Sequence, residues 1–310
     1  MILTVTLNPA IDLTFSVDRL AFEDRSYINS RVEAAGGRGI NAARVLTALG
    51  AETLAMMPSG GASKERFETD LARLGFRYET VPVEQSIRTN LIVTDKQGLT
   101  VKLNERGPRI SAAELDQFAA AVEGHLQTVT WLLICGSLPP GVEVDFYRRL
   151  IHMAKAHKIS TLVDTEGEFL QEILDEGPTV VVPNQSEAEH LLNKALITRG
   201  QFLDAVERIQ RMGAEMAVLS LGNRGAVAFN GEKAYEILPP RVEAVSPIGA
   251  GDALDAAFVW AMSRGSSFAD AARWGVAAGT ASAMLPGIQF GTLEQTRAIY
   301  DKVEVKVIGG

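Results

Sequence analysis

Short apolar runs recur along the chain at residues 2–7, 53–57, 131–135, 161–164, 180–183 and 217–221. Most are continuously apolar rather than alternating, the pattern of strands covered on both faces. Segments of helical character lie between them, such as 41–49, stopped by Gly50, and 202–212, stopped by Gly213. This alternation predicts an α/β fold: a doubly wound, mostly parallel sheet with helices on both faces.

Two stretches break the pattern. Residues 13–17 and 99–103 alternate apolar and polar, and the second pairs with 90–94 through the turn Asp95-Lys96-Gln97-Gly98. Alternation means one covered face, so these pieces predict a small second β-sheet standing off the main one, a lid or a dimer surface, inserted at about 12–34 and 87–106. Late in the chain, 225–229 and 233–238 flank Asn230-Gly231, a hairpin signal that adds an antiparallel pair to the main sheet. No repeat, low-complexity tract or linker interrupts the sequence, so one domain over 1–310 is expected.

With 310 residues and 46% hydrophobic content, the chain can bury a large core. A net charge of -8 argues against nucleic-acid and anionic-membrane partners, though not against locally bound phosphate. The single cysteine, Cys135, excludes an intrachain disulfide and reads as a small buried residue. His125, His152, His157 and His190 have no metal-ligand spacing. No signal-peptide pattern and no membrane-length apolar run is present, so the expected location is cytoplasmic.

The chemistry gathers at predicted strand ends. Ser246-Pro247-Ile248-Gly249-Ala250-Gly251-Asp252 is a loop feeding a buried helix. Its glycines permit close backbone approach, and free N–H groups at a helix start favour an anion such as phosphate. Asp252 beside that hole could take a proton from an attacking hydroxyl, or serve as an ordinary first-turn acid. Asp12, in Asn8-Pro9-Ala10-Ile11-Asp12, follows the first strand and could accept bonds from a polyol, or be a turn acid. Gly36-Gly37-Arg38-Gly39-Ile40-Asn41 precedes a helix starting near Asn41 and could bind hydroxyls closely. Arg88 suits a phosphate through its planar guanidinium fork. Asn184 and Glu187, three apart on one helix face, suit hydrated Mg²⁺, and a helix cap fits the spacing equally well. Ser137, in Gly136-Ser137-Leu138, offers a hydroxyl at a strand tip, and Ser220 to Gly225 forms another glycine loop.

The order of these elements resembles the ribokinase-like sugar kinases of the phosphofructokinase B type. The Gly36–Asn41 and Gly249–Asp252 segments look like the two signatures of that family, and Asn184 to Glu187 like its Asn-x-x-Glu element. Asn8 to Asp12, Arg88-Thr89-Asn90 and Gly136 to Gly141 are most similar to its phosphorylated-ketohexose branch. The resemblance implies ATP-dependent phosphorylation of a ketohexose phosphate, with 1-phosphofructokinase favoured and 6-phosphofructokinase or tagatose-6-phosphate kinase as alternatives.

It also implies roles. Asp252 would be the base, and the amides of Gly249, Ala250 and Gly251 the hole for the transferring phosphoryl group. Asp12, Gly36, Gly37 and Asn41 would hold sugar hydroxyls, while Arg88, Ser137 and Arg25 would hold the phosphate already on the sugar. Asn184, Ser220, Gly222 and Gly225 would line the ATP site. Asn184 and Glu187 would organise Mg²⁺ through water, and the lids would join a homodimer.

Four positions depart from the family pattern. Arg38 stands where Lys or Gly is usual, Val182 where Lys is frequent, Ala257 where glycine is common, and Asp255 is an unusual acid. A non-catalytic sugar-phosphate sensor on the same fold and a nucleoside or ribose kinase are the rivals. A Rossmann dehydrogenase is disfavoured, because Asn8-Pro9 follows the first strand where its glycine fingerprint would stand.

Overall fold

The computed structural model describes residues 1–21 and 23–308. Phe22, inside the expected lid range, and Gly309 and Gly310, at the end of the expected domain, lie outside the described residues.

The first third of the chain runs β1 (Ile2–Val5), β2 (Ala10–Val17), β3 (Ile28–Gly36), α1 (Arg38–Ala48), β4 (Thr53–Gly60), α2 (Lys64–Arg73), β5 (Arg77–Val83), β6 (Arg88–Asp95) and β7 (Thr100–Asn104). The middle follows as α3 (Ala112–His125), β8 (Trp131–Cys135), α4 (Asp145–Ala156), β9 (Ser160–Asp164), α5 (Gly167–Asp175), β10 (Val180–Val181), α6 (Gln185–Leu192), α7 (Arg199–Arg211) and β11 (Met216–Ser220). The chain closes with β12 (Ala226–Phe229), β13 (Ala234–Leu238), α8 (Ala250–Ser263), α9 (Phe268–Ala283), α10 (Leu293–Tyr300) and β14 (Glu304–Ile308).

Among the described residues, ten strands form one sheet in the order β14-β13-β12-β11-β10-β9-β8-β1-β4-β5. The pairs from β5 to β11 are parallel, and β12, β13 and β14 add antiparallel at one edge. The expected doubly wound sheet is therefore present, including the Asn230-Gly231 hairpin. The edge strand β14 was not expected, because Val305 and Val307 are exposed and leave no buried apolar run to detect.

Alternate residues of the central strands feed opposite cores. Leu3 and Val5 pack with residues of α3, α4 and α7, whereas Ile2 packs with residues of α1, α8 and α9. Both faces are thus dry, which is why these strands read as continuous apolar runs. Helix α8 is buried over most of its length, and its fully enclosed Phe258 alone accounts for about 3–5 kcal/mol if truncated to alanine.

The second sheet has the order β3-β2-β6-β7. It is mixed, with β2 parallel to β6 and antiparallel to β3. Two boundaries differ from expectation and matter to the site. The first strand ends at Val5, so Asp12 lies within β2 of the second sheet instead of in a turn. Helix α1 begins at Arg38, directly after Gly37, which places Asn41 in the first turn.

Candidate active site

Gly249 occupies the left-handed region (φ 79°, ψ 0°) and caps α8. That conformation favours glycine and lets the loop turn sharply into the helix. A Cβ on Gly249 would lie 2.8 Å from the Phe290 ring, while beside Gly251 there is open space. The Ala250 N–H donates to the Pro247 carbonyl at 3.3 Å, so the free donors at this helix start are concentrated around Gly251. From behind, Gly279 of α9 holds the loop in place: a Cβ there would lie 2.8 Å from the Ala250 carbonyl oxygen.

Asp252 follows in the first turn and is nearly enclosed. Its Oδ2 accepts a bond from Asn41 Nδ2 at 2.7 Å. Burial pushes its pKa up to about 7, helped by the nearby Asp164 charge and opposed by the Asn41 bond and Arg38. A carboxyl poised there can accept a proton at neutral pH. Asn41 therefore turns its donor toward the base, while its carbonyl oxygen stays buried without a partner.

Asp12 enters from the second sheet. Asn90, its neighbour on β6, donates to Asp12 Oδ1 at 2.9 Å. A Cβ on Gly36 would overlap the other carboxylate oxygen, so this glycine makes the space that Asp12 fills. Burial raises the Asp12 pKa, against the Asn90 bond and the charges of Arg88 and Lys102. Gly37 (φ 136°) caps α1 and packs against the Thr6 side chain.

Arg88 begins β6 and donates to the Glu105 carbonyl at 3.3 Å, while its Nε is buried without a partner. Burial lowers its pKa and Asp12 partly offsets this. It lines a cavity of about 690 Å³ together with Arg106, Ser86 and Gly107. That cavity lies at the Arg88 end of the site, away from Asp252. Ser137, in the turn after β8, accepts a bond from Asn8 Nδ2 at 3.1 Å, and Asn8 also donates to the Arg106 carbonyl at 3.0 Å. Asn8 thus ties the Ser137 turn to the Arg106 strand exit. Arg25 is exposed on the connection between β2 and β3, in a separate depression with Asp18, Arg19 and Tyr27, and is not brought to Arg88.

Asn184 is the N-cap of α6, with extended backbone, instead of a helical neighbour of Glu187. The two form a capping box: Asn184 Oδ1 accepts from the Glu187 N–H at 3.0 Å, and Glu187 Oε2 from the Asn184 N–H at 2.9 Å. The cap leaves Glu187 Oε1 free to face Arg38, 3.5 Å from its Nη2. Asn184 also bridges to Ser220 at the end of β11, which joins this element to the Gly222–Arg224 turn. Gly225 (φ 85°) closes that turn where a Cβ would strike the Ile237 carbonyl.

Glu187 burial raises its pKa, with Asp164 adding and Arg38 opposing. Among the described residues no group of three or more His, Cys, Asp or Glu could hold a metal alone. Oxygen donors in small number suit Mg²⁺, which keeps water and takes phosphate oxygens for the rest of its shell. The donor set here fits such an ion.

Arg38 and Asp255 stand out in the sequence only as departures from the family pattern, with no partners, and Asp164 only as the end of an apolar run. Arg38 Nη1 pairs with Asp164 Oδ1 at 2.6 Å. Asp255 is buried on α8, with its pKa pushed well up by burial and by the neighbouring Asp164 and Asp252 carboxylates. The missed signal was position: Asp164 ends a parallel strand, where open α/β sheets place ligands.

Residues 5–295 match the description of the pfkB family carbohydrate kinases. The ATP-dependent 6-phosphofructokinase isozyme 2 of Mycobacterium tuberculosis is 32% identical over 288 residues, 92% of this chain and 85% of that protein. The tagatose-6-phosphate kinase of Staphylococcus epidermidis is 31% identical over 255 residues, 81% of this chain and 82% of that one. Phosphofructokinase-2 from Escherichia coli, solved with substrates and products, superposes with a TM-score of 0.91 at 32% identity, covering 97% of this chain and 98% of its own. The chain belongs to the pfkB family of carbohydrate kinases and has the ribokinase-like fold. It is a sugar phosphate kinase of the phosphofructokinase and tagatose-6-phosphate kinase type.

Proposed function

We propose that the chain transfers the terminal phosphoryl group of ATP to a ketohexose monophosphate, with Asp252 as the base. One observation carries this reading: an enclosed carboxyl, with a pKa near 7, stands in the first turn of α8 beside the open space at Gly251. The acceptor hydroxyl gives its proton to Asp252 as its oxygen bonds to the γ-phosphorus. The bond from that phosphorus to the bridging oxygen of ADP breaks, ADP leaves, and the proton passes from Asp252 to solvent.

The remaining residues position and neutralise. Asp12, oriented by Asn90, and the backbone at Gly36 and Gly37 meet the sugar hydroxyls. Arg88 and Ser137 meet the phosphate already on the sugar. Asn41 acts on the base and so on the hydroxyl beside it. Ser220, Gly222, Gly225 and Asn184 border the nucleotide. Mg²⁺, when bound with the nucleotide, supplies charge neutralisation on the phosphates, and Glu187 and Asn184 are the residues to hold it through water. Exposed Tyr27, Ile28, Val32, Leu99 and Leu103 on and beside the lid strands support a homodimer joined there.

Two acceptors compete. The family resemblance puts fructose 1-phosphate first, whereas the names of the two relatives favour a 6-phosphate ketohexose. For fructose, phosphorylation of either monophosphate yields the same 1,6-bisphosphate, since one end carries phosphate and the other a primary hydroxyl. ADP release in a coupled assay with ATP, Mg²⁺ and each of fructose 1-phosphate, fructose 6-phosphate and tagatose 6-phosphate tests the reading. Acceptor-dependent ADP formation with at least one sugar is expected. Sugar binding without acceptor-dependent ADP from any would support the non-catalytic sensor instead.

A further inference from the structure

Four acids from three elements crowd the mouth of the site: Asp164 at the end of β9, Glu187 in the first turn of α6, and Asp252 and Asp255 in α8. Arg38 is the cation that faces them. Its Nη1 lies 2.6 Å from Asp164 Oδ1 and its Nη2 lies 3.5 Å from Glu187 Oε1. Its stem runs past Gly136, in the turn after β8. Asp255 is 2% exposed, and its Oδ1 has no hydrogen-bond partner.

The guanidinium bridges two carboxylates from different elements, as a divalent cation would. The cap bond from Asn184 engages Glu187 Oε2, so the oxygen left for a metal, Oε1, is the one Arg38 faces. A metal ion drawing on Glu187 Oε1 and Asp164 Oδ1 must displace the guanidinium from them. Hydrated Mg²⁺ alone competes poorly with a tethered cation, because it must lose water to bind. Mg²⁺ arriving with a nucleotide differs, since the phosphates offer the displaced guanidinium a new anion with matching fork geometry.

We propose that Arg38 is a resident counter-ion that occupies the Asp164–Glu187 pair in the nucleotide-free site and exchanges these carboxylates for nucleotide phosphate when the metal–nucleotide complex binds. This rests on the kinase reading with Mg²⁺ at Glu187. Arg38 thereby couples metal binding to nucleotide arrival, and it lessens the repulsion among the four acids before nucleotide binds.

Mn²⁺ serves as the probe, with the free ion counted by electron paramagnetic resonance. Without nucleotide, Arg38→Gln is expected to bind Mn²⁺ about tenfold tighter than the native chain. Adding Glu187→Gln to that variant should reverse the gain. Unchanged or weaker Mn²⁺ binding by Arg38→Gln overturns the proposal. Should Arg38→Gln fail to fold by circular dichroism, Arg38→Lys decides: its shorter reach and lack of a planar fork loosen its hold on the two acids, so about threefold tighter Mn²⁺ binding supports the proposal and no change overturns it. The Mg²⁺ reading is separated by Glu187→Gln in the otherwise native chain with ADP present. Weakened Mn²⁺–ADP binding upholds that reading, so that an unchanged Arg38→Gln then sinks the Arg38 proposal alone. Unaltered Mn²⁺–ADP binding sinks the metal assignment, and the proposal with it.

Discussion

Asn41 Nδ2 donates to Asp252 Oδ2 at 2.7 Å, a buried bond between positions 211 apart in sequence. It joins the start of α1 to the start of α8 and favours the ionised form of Asp252, while burial and Asp164 favour the protonated form. The log of kcat/KM should therefore rise with pH and level off above about 7. Asn41→Ala removes a bond that lowers the pKa, so the acid limb should move to higher pH. A limb in the ordinary carboxyl range, or one that Asn41→Ala leaves in place, would contradict this account of the base.

The same shift has a consequence for stability. The folded-state pKa of Asp252 is raised above its ordinary 3.8, so the folded chain keeps a proton that the unfolded chain has lost. The stability associated with this proton is full below about 4 and is lost as pH rises through about 7. Asp252→Asn cannot ionise, so its Tm relative to the native chain should be higher at pH 8 than at pH 5. Thermal unfolding at the two pH values checks this, and an equal difference at both would argue against a buried, ionising Asp252.

Arg88→Ala should raise the KM for the sugar phosphate far more than the KM for ATP. Losing a charge-assisted contact of about 1.5–3 kcal/mol corresponds to roughly 10- to 150-fold. Initial rates with each substrate varied in turn separate the two constants. Equal effects on both would mean that Arg88 does not clamp the sugar phosphate.

Much of this was legible in the sequence, and the failures share a cause. The parallel strands are apolar on both faces, so they announce themselves. Asp12 was read as lying just beyond the first strand because Leu7 prolongs an apolar run, yet β1 ends at Val5 and Asp12 belongs to another sheet. Asn184 and Glu187 show the limit of spacing arguments: the capping box exists, and one Glu187 oxygen remains outside it. The pairing of Arg38 with Asp164 spans 126 positions. Sequence could mark Arg38 as unusual, but only the sheet order β10-β9-β8-β1 brings α1 and the end of β9 to one mouth.

Gly279→Ala should lower kcat without contact with any substrate. The new methyl would press on the Ala250 carbonyl and shift the loop that carries Asp252, at a cost of about 1–3 kcal/mol in stability. Intrinsic helix propensity favours alanine by about 1 kcal/mol, so a stabilised, fully active variant would show that the contact relaxes freely. Steady-state rates and denaturant unfolding together decide.

The exposed apolar residues of the lid strands should lie in a dimer interface. Replacing Ile28 and Val32 with glutamate together should shift the chain to monomer in sedimentation velocity. A native chain that already sediments as a monomer at micromolar concentration would remove the dimer from the account.

The most direct test of the phosphotransfer assignment is the turnover of Asp252→Asn at saturating ATP and acceptor, with acceptor affinity measured in parallel. The new amide keeps the shape of the site and can still accept from Asn41, so sugar-phosphate binding should stay largely intact. Turnover should fall by roughly 10²- to 10⁴-fold, the contribution expected of a positioned base. Turnover within about threefold of the native chain would be too small a loss for a general base and would contradict the role assigned to Asp252.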